Sequence, residues 1–273
     1  MKRYLVGAMA LACASTMAQA TTVNVWPGDM QGWVFFDDGT AGPCTGTCAM
    51  VNGPGSPPAG SGSARLTLVG TGERPTLGAL LAQLAGQKLA DIHTLSYSTY
   101  KTTPTAPGNV LAIALQFNVD NDVTDIDYTF KGRLVFEPYH DPSGLGQQVA
   151  AGQWQTWNTL AGKWWLSSAG NPARFPLSVC GQSSPCTVTQ LLSYYPNIGI
   201  RDVPTGPNTY LKAGGGWSNF DGNTDALTIG IGATTTTYNF ELGPTSEEQC
   251  KDGGWVGFFK NQGQCVSTFA KNK

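Results

Sequence analysis

Charge is what this chain has least of: only 12% of its 273 residues are Asp, Glu, Lys or Arg, and the net charge is −2. Without a basic excess it has little to exchange for the counterions of a polyphosphate, so nucleic acid is not expected as a partner. Long apolar runs are missing after the first twenty residues, so no later segment is suited to cross a bilayer as a helix. Histidine is limited to two residues, His93 and His140, and neither lies in an HExxH pattern or accompanies a lipase-type serine elbow. A Ser, His, Asp grouping assembled in space would have to use one of these two, and His140, on a loop after Glu137, is the better placed.

The first twenty residues, MKRYLVGAMALACASTMAQA, do carry a pattern: Lys2 and Arg3, an apolar run, then Ala18, Gln19 and Ala20. That order predicts a secretory signal peptide over 1–20, cleavage near Ala20, and a mature chain of about 250 residues in the periplasm or outside the cell. Lipidation at Cys13 is the weaker alternative, because Ala10 stands where a larger aliphatic residue would be wanted. Losing Lys2 and Arg3 makes the mature protein more acidic still. Its surface must then be made of Ser, Thr, Asn, Gln and Gly, which suits uncharged partners.

The other six cysteines fall into three close pairs, Cys44 with Cys48, Cys180 with Cys186, and Cys250 with Cys265. Spacing and export predict neighbour disulfides. Zinc is the rival use of CTGTC and CGQSSPC, but no histidine stands near either.

Short runs rich in β-branched and aromatic residues, broken by Gly, Pro, Asn and Asp, predict an all-β, jelly-roll-like antiparallel sandwich over 21–243. In VLAIALQFNVD, Leu111, Ile113, Leu115, Phe117 and Val119 share one face, and Gln116 and Asn118 share the other. VNGPGSPPAGSGS reads as a surface loop. Thr76–Leu89 has helical spacing through Leu77, Leu80, Leu81 and Leu84, with an edge strand and turn as the alternative. CTVTQLLSYYP predicts a short helix capped by Thr187 and stopped by Pro196. The last segment, 244–273, is more charged and reads as a hairpin stapled by its two cysteines.

Several phrases in order, GWVFFDDG, NGPGSPPAGSGSARL, LSYSTY, LQFNVD, GRLVFEPY, WQTWNTLAGKWW and KAGGGWSNFDGNTDALTIGI, resemble a group of secreted bacterial β-sandwich modules. Those modules occur alone or ahead of right-handed parallel β-helix domains in cell-surface proteins. CKDGGWVGFFKNQGQCV resembles a cysteine-bounded tail found at the ends of exported bacterial proteins. The resemblance implies export and a jelly-roll-like fold, and it carries no catalytic residue across.

Three kinds of site are written in the residues. Ring stacking is the first: Trp154, Trp157, Trp164 and Trp165 crowd into twelve residues. Two of the four are expected in the core, and the rest beside Tyr139, Gln155 and Asn158, with Trp217 lining the same end. Flat rings meet the C–H faces of sugars while amides satisfy hydroxyls, so this set predicts a non-catalytic module gripping a neutral glycan or another extracellular polymer. The second is a polysaccharide hydrolase or lyase using Glu137 with Asp120, or another Asp of the 120–127 hairpin, assisted by His140. The third is a structural calcium ion, the one cofactor expected, at Asp120, Asp122 and Asp125, or at Asp37 and Asp38 with Asp225. An aromatic surface meeting a cell-envelope or matrix protein is a further alternative.

Overall fold

In a computed structural model of the protein, residues 19–102, 110–140, 148–203 and 205–270 are described. The first eighteen residues of the expected signal peptide lie outside that range. Fifteen strands are present among the described residues. The first five are β1 (Gln19–Val25), β2 (Trp33–Asp37), β3 (Cys48–Asn52), β4 (Gly62–Leu68) and β5 (Pro75–Ala79). Then come β6 (Ile92–Lys101), β7 (Ala114–Asp120), β8 (Gly132–Phe136), β9 (Trp154–Asn158) and β10 (Lys163–Leu166). β11 (Cys186–Thr187) leads into helix α1 (Val188–Tyr194), and β12 (Gly199–Ile200), β13 (Thr209–Lys212), β14 (Phe220–Ile231) and β15 (Thr234–Phe240) complete the sheets.

They form two curled sheets, antiparallel but for one pair. In the first, long β14 is the spine: β6 and then β9 lie on one side, with β4–β3 and β15–β1 sharing the other. β1 runs parallel to β15. The second sheet has the order β11-β10-β8-β7-β13-β5-β2, with β12 also on β7.

Alternation packs the layers. Leu115, Phe117 and Val119 point from β7 into the core, as do Leu134 and Phe136 from β8 and Leu227 and Ile229 from β14. Burying a Leu, Val or Phe side chain is worth about 1.5–3 kcal/mol, and the apolar residues facing each other here share one continuous cluster.

The predicted helical spacing at Thr76–Leu89 is not a helix. Its first part is β5, a strand paired on both sides, followed by 3-10 turns at Ala82–Leu84 and Leu89–Asp91. Period two wins because Leu77 and Ala79 fill the core, and because Gly78 lets Phe36 and Pro207 approach where a Cβ would sit 2.9 and 3.1 Å away. α1 forms as its sequence asks: Thr187 Oγ1 accepts from the Gln190 N–H while the Gln190 side chain accepts from the Thr187 N–H.

All three disulfides pair as neighbours. The tail is stapled by Cys250–Cys265, and both of its arms are helical: α2 (Glu247–Gln249) with a turn through Gly254, then α3 (Gln262–Ala270). It is anchored by Trp26, whose ring stands edge-on to Phe258 and Phe259 at 5.4 and 5.1 Å. No helix among the described residues is long and apolar enough to cross a membrane.

Candidate functional site: a polar groove on the second sheet

The tryptophan-rich segment changes layers. β9 belongs to the first sheet and β10 to the second, and the short turn between them crosses the gap. Each half alternates on its own strand, so no single period runs through the whole. Trp157 and Trp164 both face inward, at 1% and 0% exposure. The Trp157 N–H donates to Thr99 Oγ1 at 2.9 Å; the Trp164 N–H donates to the Thr159 carbonyl at 2.8 Å, with the Trp164 ring stacked on Phe117. Neither ring can touch a ligand, which corrects their assignment to a binding surface. The expectation of two core rings among four holds.

The remaining rings part company. Trp154 lies on the outer face of the first sheet, tilted against Tyr100, its N–H donating to the Pro54 carbonyl. Asn158 is exposed on that face, whereas Gln155 points the other way, bonded to the Ala150 N–H and the Gln148 carbonyl. Trp165 lies on the outer face of the second sheet, away from all three. Only Tyr139 and Trp217 of the expected neighbours remain near it.

What surrounds Trp165 is a groove of about 360 Å³. Strand register builds its floor: Gln116, Val135 and Trp165 are successive cross-strand partners on β7, β8 and β10, and Tyr210 of β13, next in that row, lies covered by Arg133. These are the polar-side positions of strands whose other sides make the core. Lys212 and Trp217 close one end, and Phe130, exposed at the foot of the β7–β8 connection, also lines the groove. Trp217 is half-buried and leans on Phe220 at 5.2 Å.

At the Trp165 end sits Glu137, buried, with three donors on one oxygen. Glu137 Oε2 accepts from Tyr139 OH at 2.7 Å, from the Trp165 N–H at 2.9 Å and from Gln182 Nε2 at 3.4 Å. Gln182 is held there by the small loop that Cys180–Cys186 closes. The indole is thereby fixed before any ligand arrives, which spares that ordering cost on binding. Burial, and then Glu137 beside it, push the Tyr139 hydroxyl well above its usual range, so it stays a donor.

Across the groove, Asp38 takes a bidentate pair from Arg133 at 2.6 and 2.7 Å and a third contact from Lys212 at 2.5 Å. Burial alone would raise the Asp38 carboxyl, but Arg133 and then Lys212 outweigh it and hold it below the usual range. Arg133 also stacks 4.0 Å over the Tyr210 ring and reaches Gln116 Oε1.

The expected acid pair is not assembled. β7 and β8 are antiparallel, with Leu115 opposite Phe136 and Val119 opposite Gly132, so Asp120 and Glu137 stand at opposite ends of the pair. Six residues of strand separate them, roughly 20 Å. His140 does approach Glu137, with Nε2 3.9 Å from Oε2, but burial lowers its pKa, so it sits there as the neutral ring.

The acidic tip is spent on its own turns. Asp120 accepts from the Asp122 N–H, Asp122 from the Thr124 N–H and hydroxyl, and Asp125 from the Asp127 N–H. Asp37 caps the Gly39, Thr40 and Arg74 N–H groups in the second sheet, while Asp225 is buried in the first. Neither expected calcium cluster is gathered, and among the described residues no three His, Cys, Asp or Glu are placed to hold a metal.

Comparison with known proteins adds no relative. No family model, no curated protein and no solved structure matches the chain.

Proposed function

We propose that the protein is a secreted, non-catalytic module that binds carbohydrate through the groove on its second sheet. The observation that carries this reading is Trp165, half-exposed on the groove floor and locked in orientation by Glu137, with Gln116 and Gln182 amides on either side. A fixed aromatic face beside amide and carboxylate acceptors offers stacking to a sugar ring and acceptors to its hydroxyls. Disulfides in every available cysteine pair agree with an oxidising compartment.

The hydrolytic alternative has less support. Glycosidases of the two-carboxylate kind need a second acid within about 5–10 Å of the first. Among the described residues that line the groove Glu137 is the one carboxylate, and Asp38, beside it, is neutralised by two cations.

Electrophoresis through gels containing soluble polysaccharides tests the reading. Wild type should be retarded by at least one polymer, Trp165→Ala should run freely, and Trp154→Ala, altered on the opposite face, should behave as wild type. Glu137→Gln should keep most of the retardation, and neither form should release reducing ends. Equal retardation of wild type and Trp165→Ala would remove the groove from consideration.

A further inference from the structure

The groove is lined by two cations, Arg133 and Lys212, and one carboxylate, Glu137, yet the cations pair with a second carboxylate, Asp38, just outside the lining. Asp38 alone engages both cations, Arg133 through two N–H groups and Lys212 through Nζ. Glu137 is instead surrounded by neutral donors, Tyr139, Trp165 and Gln182. Asp38 is not part of the sheet's hydrophobic packing. It follows the last residue of β2, at the far side of the sheet from the tryptophan strand, and the long Arg133 and Lys212 side chains, from β8 and β13, extend toward it to make the contacts.

We infer that Asp38 sets the ligand class of this groove, holding Arg133 and Lys212 closed to acidic groups so that the groove accepts uncharged, hydroxylated sugars and rejects uronates and sulfated sugars. The inference rests on the carbohydrate reading above and adds the selectivity and the residue responsible. An incoming carboxylate would have to displace Asp38 from a bidentate guanidinium contact, the strongest geometry available to such a pair. It would also face the Glu137 charge a few strands away. A neutral sugar disturbs neither, since its hydroxyls can donate to Glu137 and to the Gln116 amide oxygen. Specificity of this kind comes from repulsion of the wrong partner as much as from attraction of the right one.

Removing the lock should convert the site. Asp38→Asn leaves Arg133 and Lys212 without their counterion, facing a groove wide enough to admit a sugar acid. The full chain and this variant would be run in gels containing galactomannan, hydroxyethylcellulose, polygalacturonate or dextran sulfate, at 20 and 500 mM salt. Wild type should be retarded by a neutral polymer equally at both salt levels and not by the acidic ones. The variant should gain retardation of tenfold or more on polygalacturonate at low salt, lost at high salt as expected for screened charges.

Salt-sensitive binding of wild type to polygalacturonate would overturn the selectivity while leaving the groove as a glycan site. So would a folded Asp38→Asn that gains nothing. Failure of wild type on every polymer would overturn the carbohydrate reading itself, and the selectivity with it. Since taking away Asp38 leaves two half-buried cations, the variant is checked by circular dichroism; should it not fold, the salt series on wild type decides alone.

Discussion

Residues Trp164 and Trp165 are neighbours with opposite tasks. Trp164 is sealed between Phe117 and Phe136, so Trp164→Ala should leave a cavity and cost about 3–5 kcal/mol, read as a large drop in the urea midpoint. Trp165→Ala should move that midpoint by less than half as much while abolishing binding. Comparable losses of stability in the two variants would mean that Trp165 is a packing residue after all. The sequence showed that rings of both kinds had to exist but could not sort them, because sorting depends on the sheet each half-segment joins. Tyr139 and Trp217 were placed near the groove by sequence. Asp38, Gln116, Arg133 and Lys212 were not, since their meeting depends on strands that are adjacent in space and distant in the chain. One signal was available: Gln116 and Asn118 alternate with the core residues of β7, which marks them as occupants of a partly covered face.

Elements held together by a buried acid give the molecule a pH response. Asp225 on β14 is fully buried; its carboxylate accepts from the Phe240 N–H of β15 and from the Ala59 N–H of the glycine-rich loop, each at 3.0 Å. Burial raises its pKa to about 7; the amide hydrogen bonds pull the other way, and Glu241 adds to the rise. The folded state therefore holds this proton more tightly than the unfolded chain, whose carboxyl titrates near 3.8. Its contribution to stability is complete below about pH 4 and is lost as pH rises to about 7, a span worth roughly 4 kcal/mol. Thermal melts across that window should show wild type weakening toward neutrality and Asp225→Asn with a flatter profile; an unchanged slope in the variant would assign the effect elsewhere. At this scale several of the longer strands, such as β2, β7 and β8, were legible from their β-rich runs, and α1 from its Thr187 cap and Pro196 stop. β5 was obscured because Leu77, Leu80, Leu81 and Leu84 mimic a helical stripe across what is in fact a strand followed by a tight turn.

At the scale of the whole molecule, the tail is a separate stapled unit resting on the sandwich. Its attachment runs through Trp26 and through Asn24 Nδ2, which donates to the Gly257 carbonyl at 2.8 Å. Trp26→Ala should therefore speed amide hydrogen exchange across 247–270 while leaving the inner strands β7, β8 and β14 protected. Equal loss of protection everywhere would show that tail and sandwich unfold as one unit. Two layers, three neighbour disulfides and a stapled end were all legible in the sequence, because each depends on local spacing. Which strands lie side by side was not, because most of those pairings join distant parts of the chain.

The parallel seam between the first strand and the last has an outcome for biogenesis. Gln19–Val25 pairs with Thr234–Phe240, a partner synthesised more than two hundred residues later. As the chain emerges, its leading strand must wait unpaired until nearly everything else has appeared, and such distant pairings are slow to close. The first sheet is thus completed only when its earliest and latest strands meet, and a chain halted short of Thr234 would be left with a bare edge, open to pairing with its neighbours.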